Sequence, residues 1–340
     1  MKGYAVVFKE RWKVSFEEVQ IPEPGDDDVV IDVEYSWISN GTESSFLRGE
    51  RLGGDTPYQE GEAEPFPIVA GYQKTGVVTQ IGAKVAGVRV GDRVFATISR
   101  VEDMFDPYGG HVSPAVTKAN QVWLLPEGEQ AEAYAGLVLA QVGYNCGMRP
   151  PVVPGDIAVV IGDGLVGNWT AQTLMHRGAQ VIVLGRHQDR LKHMPPGCHC
   201  LQVQSAESAN GQIPPYVAIV VDTVGDMNTF LQLLPLMKPN GHMVSAGFYG
   251  RSGHIDIQLL RHREITLHAP AGWTTPRMRE TLDAIHQGWF QTRELITHRF
   301  PADRASDAWN LILGKKEPFL GIVLDWKKRE GDGFETIRQI

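Results

Sequence analysis

The chain has 340 residues, 42% hydrophobic and 21% charged, a balance that excludes a disordered or fibrous protein and leaves room for two domains. A formal net charge of −8 gives no general attraction to a polyphosphate backbone, which excludes nucleic acid as an expected partner. No apolar run reaches the roughly 18 residues of a membrane span, and the short apolar start is no signal peptide, so a cytoplasmic protein is expected. Its three cysteines, Cys146, Cys198 and Cys200, cannot form a paired disulfide framework.

The first apolar run, Tyr4-Ala-Val-Val-Phe8, reads as a strand. Short β-type segments follow over 29–33, 74–81 and 92–97, divided by Gly, Pro and Asp, and predict a small irregular β domain. From about residue 150 the texture becomes alternating: strand 157–161, helix 165–177, strand 180–184 and strand 217–221. Such alternation predicts a parallel sheet covered on both faces, so the fold class is α/β, a Rossmann doubly wound sheet plus a β domain. Glycine-rich 241–247, segment 264–267, a helix near 278–287 and a strand over 319–326 complete the chain. The expected divisions are 1–142 for the first domain, 143–267 for the nucleotide-binding domain, and 268–340 for a return to the first domain. The charged, aperiodic stretch 327–340 is expected to be solvated.

The run Ile157-Ala-Val-Val-Ile-Gly162-Asp-Gly164-Leu165-Val166-Gly167 follows an apolar strand and opens a helix, the context that makes G-x-G-x-x-G a dinucleotide fingerprint. Gly162 serves the tight turn, Gly164 the approach of a pyrophosphate, and Gly167 the helix–strand contact, with the phosphates on free N–H groups where Leu165 and Val166 begin the helix. At the end of the second strand, where an acid would hold the ribose of NAD, stand Gly185, Arg186 and His187. Loss of the acid and the guanidinium of Arg186 favour the 2′-phosphate of NADP(H), with Arg190 as a possible addition. Thr223, Val224 and Gly225, and Ala246, Gly247 and Phe248, follow apolar strands at the carboxyl edge where such sheets bind ligands. They are assigned to the adenosine and nicotinamide, with ordinary strand-ending turns the open alternative for each.

These motifs, with Pro67-Ile-Val-Ala-Gly71-Tyr72-Gln73-Lys-Thr-Gly76, Val90-Gly-Asp-Arg-Val94 and Tyr108-Gly-Gly-His-Val112, resemble the medium-chain dehydrogenase/reductase superfamily over nearly the whole chain. The resemblance implies a GroES-like catalytic domain joined to a Rossmann domain, a nicotinamide cofactor, a small-molecule substrate and a homodimer. It also shows where the chain departs from the zinc alcohol dehydrogenases. Asn40 stands for the cysteine ligand, Tyr72 for the histidine, Gln73 for the acid beside it, and Val138 near the third ligand. Residues 95–125 contain no cysteine for a structural zinc, and Cys198-His-Cys200 is too compact for a four-ligand site, so no metal is expected. The segment Ser39-Asn-Gly-Thr-Glu43 with Gly71-Tyr72 is similar to a subgroup that includes bacteriochlorophyllide a dehydrogenase.

Without a Lewis acid, the developing alkoxide of a carbonyl reduction needs a hydrogen-bond or proton donor. Tyr72 is the leading candidate, in a position that the resemblance places facing the nicotinamide. Thr42 matches the family's relay hydroxyl, Glu43 would orient either or hold a proton, and Asn40 offers an amide donor. A buried structural acceptor is the open alternative for Glu43, and a space-filling ring for Tyr72. His111 reads as surface or satisfied core. Trp37, Phe46, Tyr108 and Trp273 are candidates for an apolar substrate pocket. The expected function is carbonyl/alcohol interconversion without zinc, with reduction of an activated C=C or C=N bond as a near alternative and a non-catalytic NADPH sensor as another.

Overall fold

The structure is a computed structural model that describes residues 1–204, 209, 211–250 and 253–327; the stretch expected to be solvated lies, beyond Lys327, outside the described residues. The chain divides into two compact units, residues 1–138 with the chain from 292 onward, and residues 139–291.

The first unit is built on two mainly antiparallel arrangements, with Ile296–Pro301 parallel to Gly321–Asp325. Strands Lys2–Glu10 and Lys13–Gln20 form a hairpin, and the first also pairs with Ile68–Val69 and Val112–Ser113. A second sheet runs in the order Val122–Leu124, Arg93–Ala96, Lys74–Ile81, Asp28–Trp37, Gly321–Asp325, Ile296–Pro301, with Ala115–Lys118 also paired to Asp28–Trp37. Asp28–Trp37 is twice the expected length because Tyr35 to Trp37 continue to pair, on one side with Lys74 and Thr75 and on the other with Val323 to Asp325. Apolar residues that alternate along these strands fill the core between them, among them Val29, Ile31, Val33, Val78, Val94 and Val116. A second cluster gathers under the helix Ala305–Gly314, whose Trp309 meets Phe8 edge-on at 5.3 Å.

The second unit is a six-stranded parallel sheet in the order His199–Gln202, Gln180–Gly185, Ile157–Ile161, Val217–Asp222, Met237–Ser245, Thr266–His268. Successive side chains of one strand enter opposite cores: Val159 and Ile161 pack with Phe230 and Met243, while Ala158 and Val160 pack with Ala171 and Leu174. That is the period of two expected of strands buried on both faces, and it explains their unbroken apolar runs.

The return to the first unit falls at residue 292 rather than 268. Residues 268–291 are tied into the second unit by hydrogen bonds from Gln141 Nε2 to the Gly272 carbonyl and from Trp169 Nε1 to the Gln291 carbonyl. The amphipathic helix Thr275–His286 therefore buries its Met278 and Leu282 there.

Candidate cofactor cradle and proton-donating cluster

The glycine fingerprint forms the turn between strand Ile157–Ile161 and helix Leu165–His176. Gly162 has φ +121°, and a Cβ on it would stand 2.4 Å from Thr223 Oγ1. A Cβ on Gly167 would stand 2.1 Å from the Gly162 carbonyl oxygen, so this glycine lets the helix approach the turn. A Cβ on Gly164 would meet nothing within 4 Å, which makes this the open position of the three. Gly164 is the N-cap, without a side-chain cap, so the first-turn N–H groups from Leu165 and Val166 onward are left to a ligand. This cradle fits a dinucleotide pyrophosphate.

The carboxyl edge beyond the cradle is closed by buried Asp222. Its carboxylate accepts the backbone N–H groups of Val224, Gly225 and Asp226 and the phenol of Tyr249 at 2.5 Å. Thr223 Oγ1 donates to the Ile161 carbonyl, and a Cβ on Gly247 would stand 1.9 Å from the Gly225 nitrogen. The turns 223–225 and 246–248 are thus packed backbone to backbone, which is why small residues recur in both.

Asp163, the variable residue inside the fingerprint, brings an acid to the end of the second strand from the first loop. Its Oδ2 accepts the backbone N–H groups of Arg186 at 2.8 Å and His187 at 2.7 Å, and the His187 ring lies 2.9 Å from the same oxygen. Arg190 stands 3.7 Å from Asp163, and Arg186 stands 3.5 Å from Asp226. Both arginines assigned to a 2′-phosphate therefore face carboxylates of the chain itself.

In the first unit, Ser39 is the N-cap of helix Asn40–Leu47, and that helix positions the polar cluster. Glu43, 2% exposed, takes the Ser39 backbone N–H on Oε1 at 2.7 Å. Its Oε2 lies 2.9 Å from Nε2 of His111, which is fully buried, and His111 Nδ1 lies 2.8 Å from Ser36 Oγ. Tyr72 is partly exposed beside this group. Burial pushes its phenol pKa well above the usual range and the Glu43 charge adds to the rise, outweighing hydrogen bonds from the Ser39 and Thr42 hydroxyls and the charge of Arg51. Tyr72 is therefore a protonated phenol at any neutral pH.

The structure brings Tyr72, Thr42 and Glu43 together. Asn40 differs from expectation: its Nδ2 donates to the Leu320 carbonyl at 2.6 Å, and the atom left buried without a partner is the acceptor Oδ1. Among the pocket candidates, Trp37 is a core residue with no exposed surface, its ring against Gly136 and Gly321, and cannot line a pocket as expected. Phe46 is partly buried, with the Arg51 guanidinium 5.8 Å from its ring centre, Tyr108 is exposed on a two-residue strand, and Trp273 is partly buried in the loop before helix Thr275–His286. Gln73 is a core amide donating to the Trp37 carbonyl. Sequence reasoning missed Ser36, Ser39 and Asp163 as site residues; only Asp163, set inside the fingerprint, carried a signal that could have found it.

A neutral phenol at Tyr72, an amide at Asn40 and an aliphatic Val138 do not make a ligand set for the family's catalytic zinc. Among the described residues no group of three or more His, Cys, Asp or Glu side chains could hold a metal ion, and no helix is long and apolar enough to cross a membrane.

Residues 25–127 match the family of alcohol dehydrogenase GroES-like domains. The chain is 25% identical over 333 residues to the 2-desacetyl-2-hydroxyethyl bacteriochlorophyllide A dehydrogenase of Cereibacter sphaeroides, covering 96% of this chain and 99% of that one. It superposes with a TM-score of 0.81 at 20% identity on an Escherichia coli short chain alcohol dehydrogenase complexed with NADH, covering 96% and 99% of the two chains. With a putative zinc-binding dehydrogenase of Sinorhizobium meliloti bound to NADP the TM-score is 0.77 at 19% identity, with the same coverage. Residues 25–127 thus carry the match to the GroES-like domain family, and over most of its length the chain is similar in sequence and fold to dehydrogenases.

Proposed function

We propose that this protein is a zinc-independent oxidoreductase that uses NADP(H) to interconvert a carbonyl and an alcohol on a small organic substrate, as a cytoplasmic homodimer. The observation that carries the reading is the Tyr72 phenol, partly exposed and held in its protonated form beside Ser39, Thr42 and Glu43, where zinc enzymes of the superfamily place a metal ligand. A nicotinamide held on the glycine turn of Gly162, Gly164 and Gly167 would supply or take up the hydride. Tyr72 supplies the proton that the nascent alkoxide requires, or stabilises that charge by hydrogen bonding. In the direction of oxidation the alcohol hands its proton to the Tyr72 oxygen as the phenol passes its own proton to the Thr42 or Ser39 hydroxyl and on to solvent. The orphaned Asn40 Oδ1 is a neutral acceptor, suited to a hydrogen bond and not to taking up a proton.

The NADP(H) assignment rests on Gly185, Arg186 and Arg190. A second reading, NAD(H), is favoured by Asp163, whose carboxylate fills the N–H groups of Arg186 and His187 that a 2′-phosphate would use. Titration with NADPH and NADH, followed by nicotinamide fluorescence and repeated on Arg186→Ala, separates the two. NADPH preference lost in the variant supports the first reading, and NADH preference unchanged by it supports the second. Turnover of ketones by the metal-stripped protein supports the reaction, and turnover of enones alone overturns it.

A further inference from the structure

We propose that His111 is a positioning residue, which holds the Glu43 carboxylate beside Tyr72 through a one-way chain of hydrogen bonds that starts at Trp326. The inference deepens the reading of Tyr72 as proton donor and rests on it. Its geometry is closed at every link from Trp326 to Glu43. The Trp326 indole N–H, a donor only, donates to Ser36 Oγ at 2.8 Å. The Ser36 hydroxyl proton is then free to point at His111 Nδ1, 2.8 Å away. With Nδ1 accepting, a neutral imidazole carries its proton on Nε2, which donates to Glu43 Oε2 at 2.9 Å. Glu43 Oε1 takes the Ser39 N–H. Every proton in the chain points toward Glu43, both of whose oxygens thereby act as acceptors.

A ring that merely filled the core would not explain this. His111 packs edge-on to Trp309 at 5.9 Å, which a phenylalanine would do as well, yet both its nitrogens are engaged. The chain also makes room for the imidazole: a Cβ on Gly71 would stand 2.5 Å from His111 Nε2, and a Cβ on Gly110 would stand 2.2 Å from the Tyr72 nitrogen. The other charged groups near the chain are engaged elsewhere. Arg51 binds Ser45 Oγ and Asp55, and Lys74, paired across the sheet with Ser36, donates to the Thr97 carbonyl.

Two measurements test the chain. In protein labelled with 15N-histidine, with the His111 resonance assigned by its loss in His111→Gln, the ring at pH 7.5 is expected as the neutral tautomer protonated on Nε2. An Nδ1-protonated or doubly protonated ring overturns the proposal, and this readout needs no turnover, so it stands apart from any failure of the oxidoreductase reading. In the turnover arm, His111→Leu is expected to lower kcat roughly tenfold or more with KM little changed, as when an outer partner of a reacting group is lost. Its alkaline limb should also move to lower pH, because the Glu43 charge no longer holds the phenol proton. His111→Gln, whose amide N–H can still donate to Glu43, should restore most of the rate. Variants whose pH profiles coincide with the wild type overturn the positioning role, and should His111→Leu not fold, His111→Gln and the tautomer decide.

Discussion

A Cβ placed on Gly185 would stand 2.7 Å from the Cβ of Asp163. The strand end that in many dinucleotide folds carries its own acid is here served by an acid from the glycine loop, and the two cannot coexist without movement. Gly185→Asp, ordinarily a switch toward NAD, is therefore expected to destabilise the second unit. Asp163→Asn, which removes the charge and keeps one acceptor, is expected to tighten NADPH relative to NADH by roughly tenfold, about 1.4 kcal/mol. Fluorescence titration of the two cofactors checks it, and an unchanged ratio would mean that Asp163 does not face the ribose.

Tyr72→Phe removes one oxygen from the cluster. The expected result is a loss of roughly 10²- to 10⁴-fold in kcat, the usual worth of a positioned proton donor, with cofactor affinity and melting temperature little altered. Steady-state kinetics beside a cofactor titration give the answer, and a rate within threefold of wild type would return Tyr72 to the role of a space-filling ring.

Lys74 is fully buried with a single hydrogen bond to the Thr97 carbonyl, and burial pushes its amine down to about 7 from an ordinary 10.5. The unfolded chain thus holds a proton between those values that the folded chain lacks, so stability rises with pH across that window and the penalty is complete below about 7. The displacement corresponds to about 5 kcal/mol at most. Lys74→Met should accordingly be more stable than the wild type at pH 6, with the gap closing toward pH 10.5. Urea melts at the two values test it, and a gap independent of pH would sink the explanation.

Gly71 has φ +81° and the His111 ring against its α-carbon. Gly71→Ala is expected to destabilise the first unit by about 1–3 kcal/mol through backbone strain, and by more where the ring cannot yield. The same variant should displace the histidine resonance of His111, since the clash is with the ring itself.

The parallel-sheet unit was legible because its chemistry is local: apolar strands, a glycine turn and a helix follow one another within residues 157–176. Helix Asn40–Leu47 was not, since Gly41, Thr42 and Ser44 are weak helix formers and Ser39 makes no side-chain cap; the Glu43 carboxylate on the Ser39 N–H holds the segment instead. Tyr72, Thr42 and Glu43 were found through motif positions. Their partners were not, because Ser36 and His111 are separated by 75 residues and Ser36 and Trp326 by 290, and no periodicity reports a contact of that span. Asp163 differs: its place inside the fingerprint marks it, but its main partners are backbone N–H groups, which leave no mark in a sequence.

The first unit is assembled from two stretches of chain, and strand Gly321–Asp325 lies between Asp28–Trp37 and Ile296–Pro301. During synthesis the whole dinucleotide unit leaves the ribosome before that strand, which brings the Leu320 carbonyl to Asn40 and the Trp326 indole to Ser36. The nascent protein thus completes its glycine turn first and the polar cluster around Glu43 last. A polypeptide released early, short of residue 320, would carry the glycine turn but lack the Leu320 carbonyl and the Trp326 indole that fix Asn40 and Ser36.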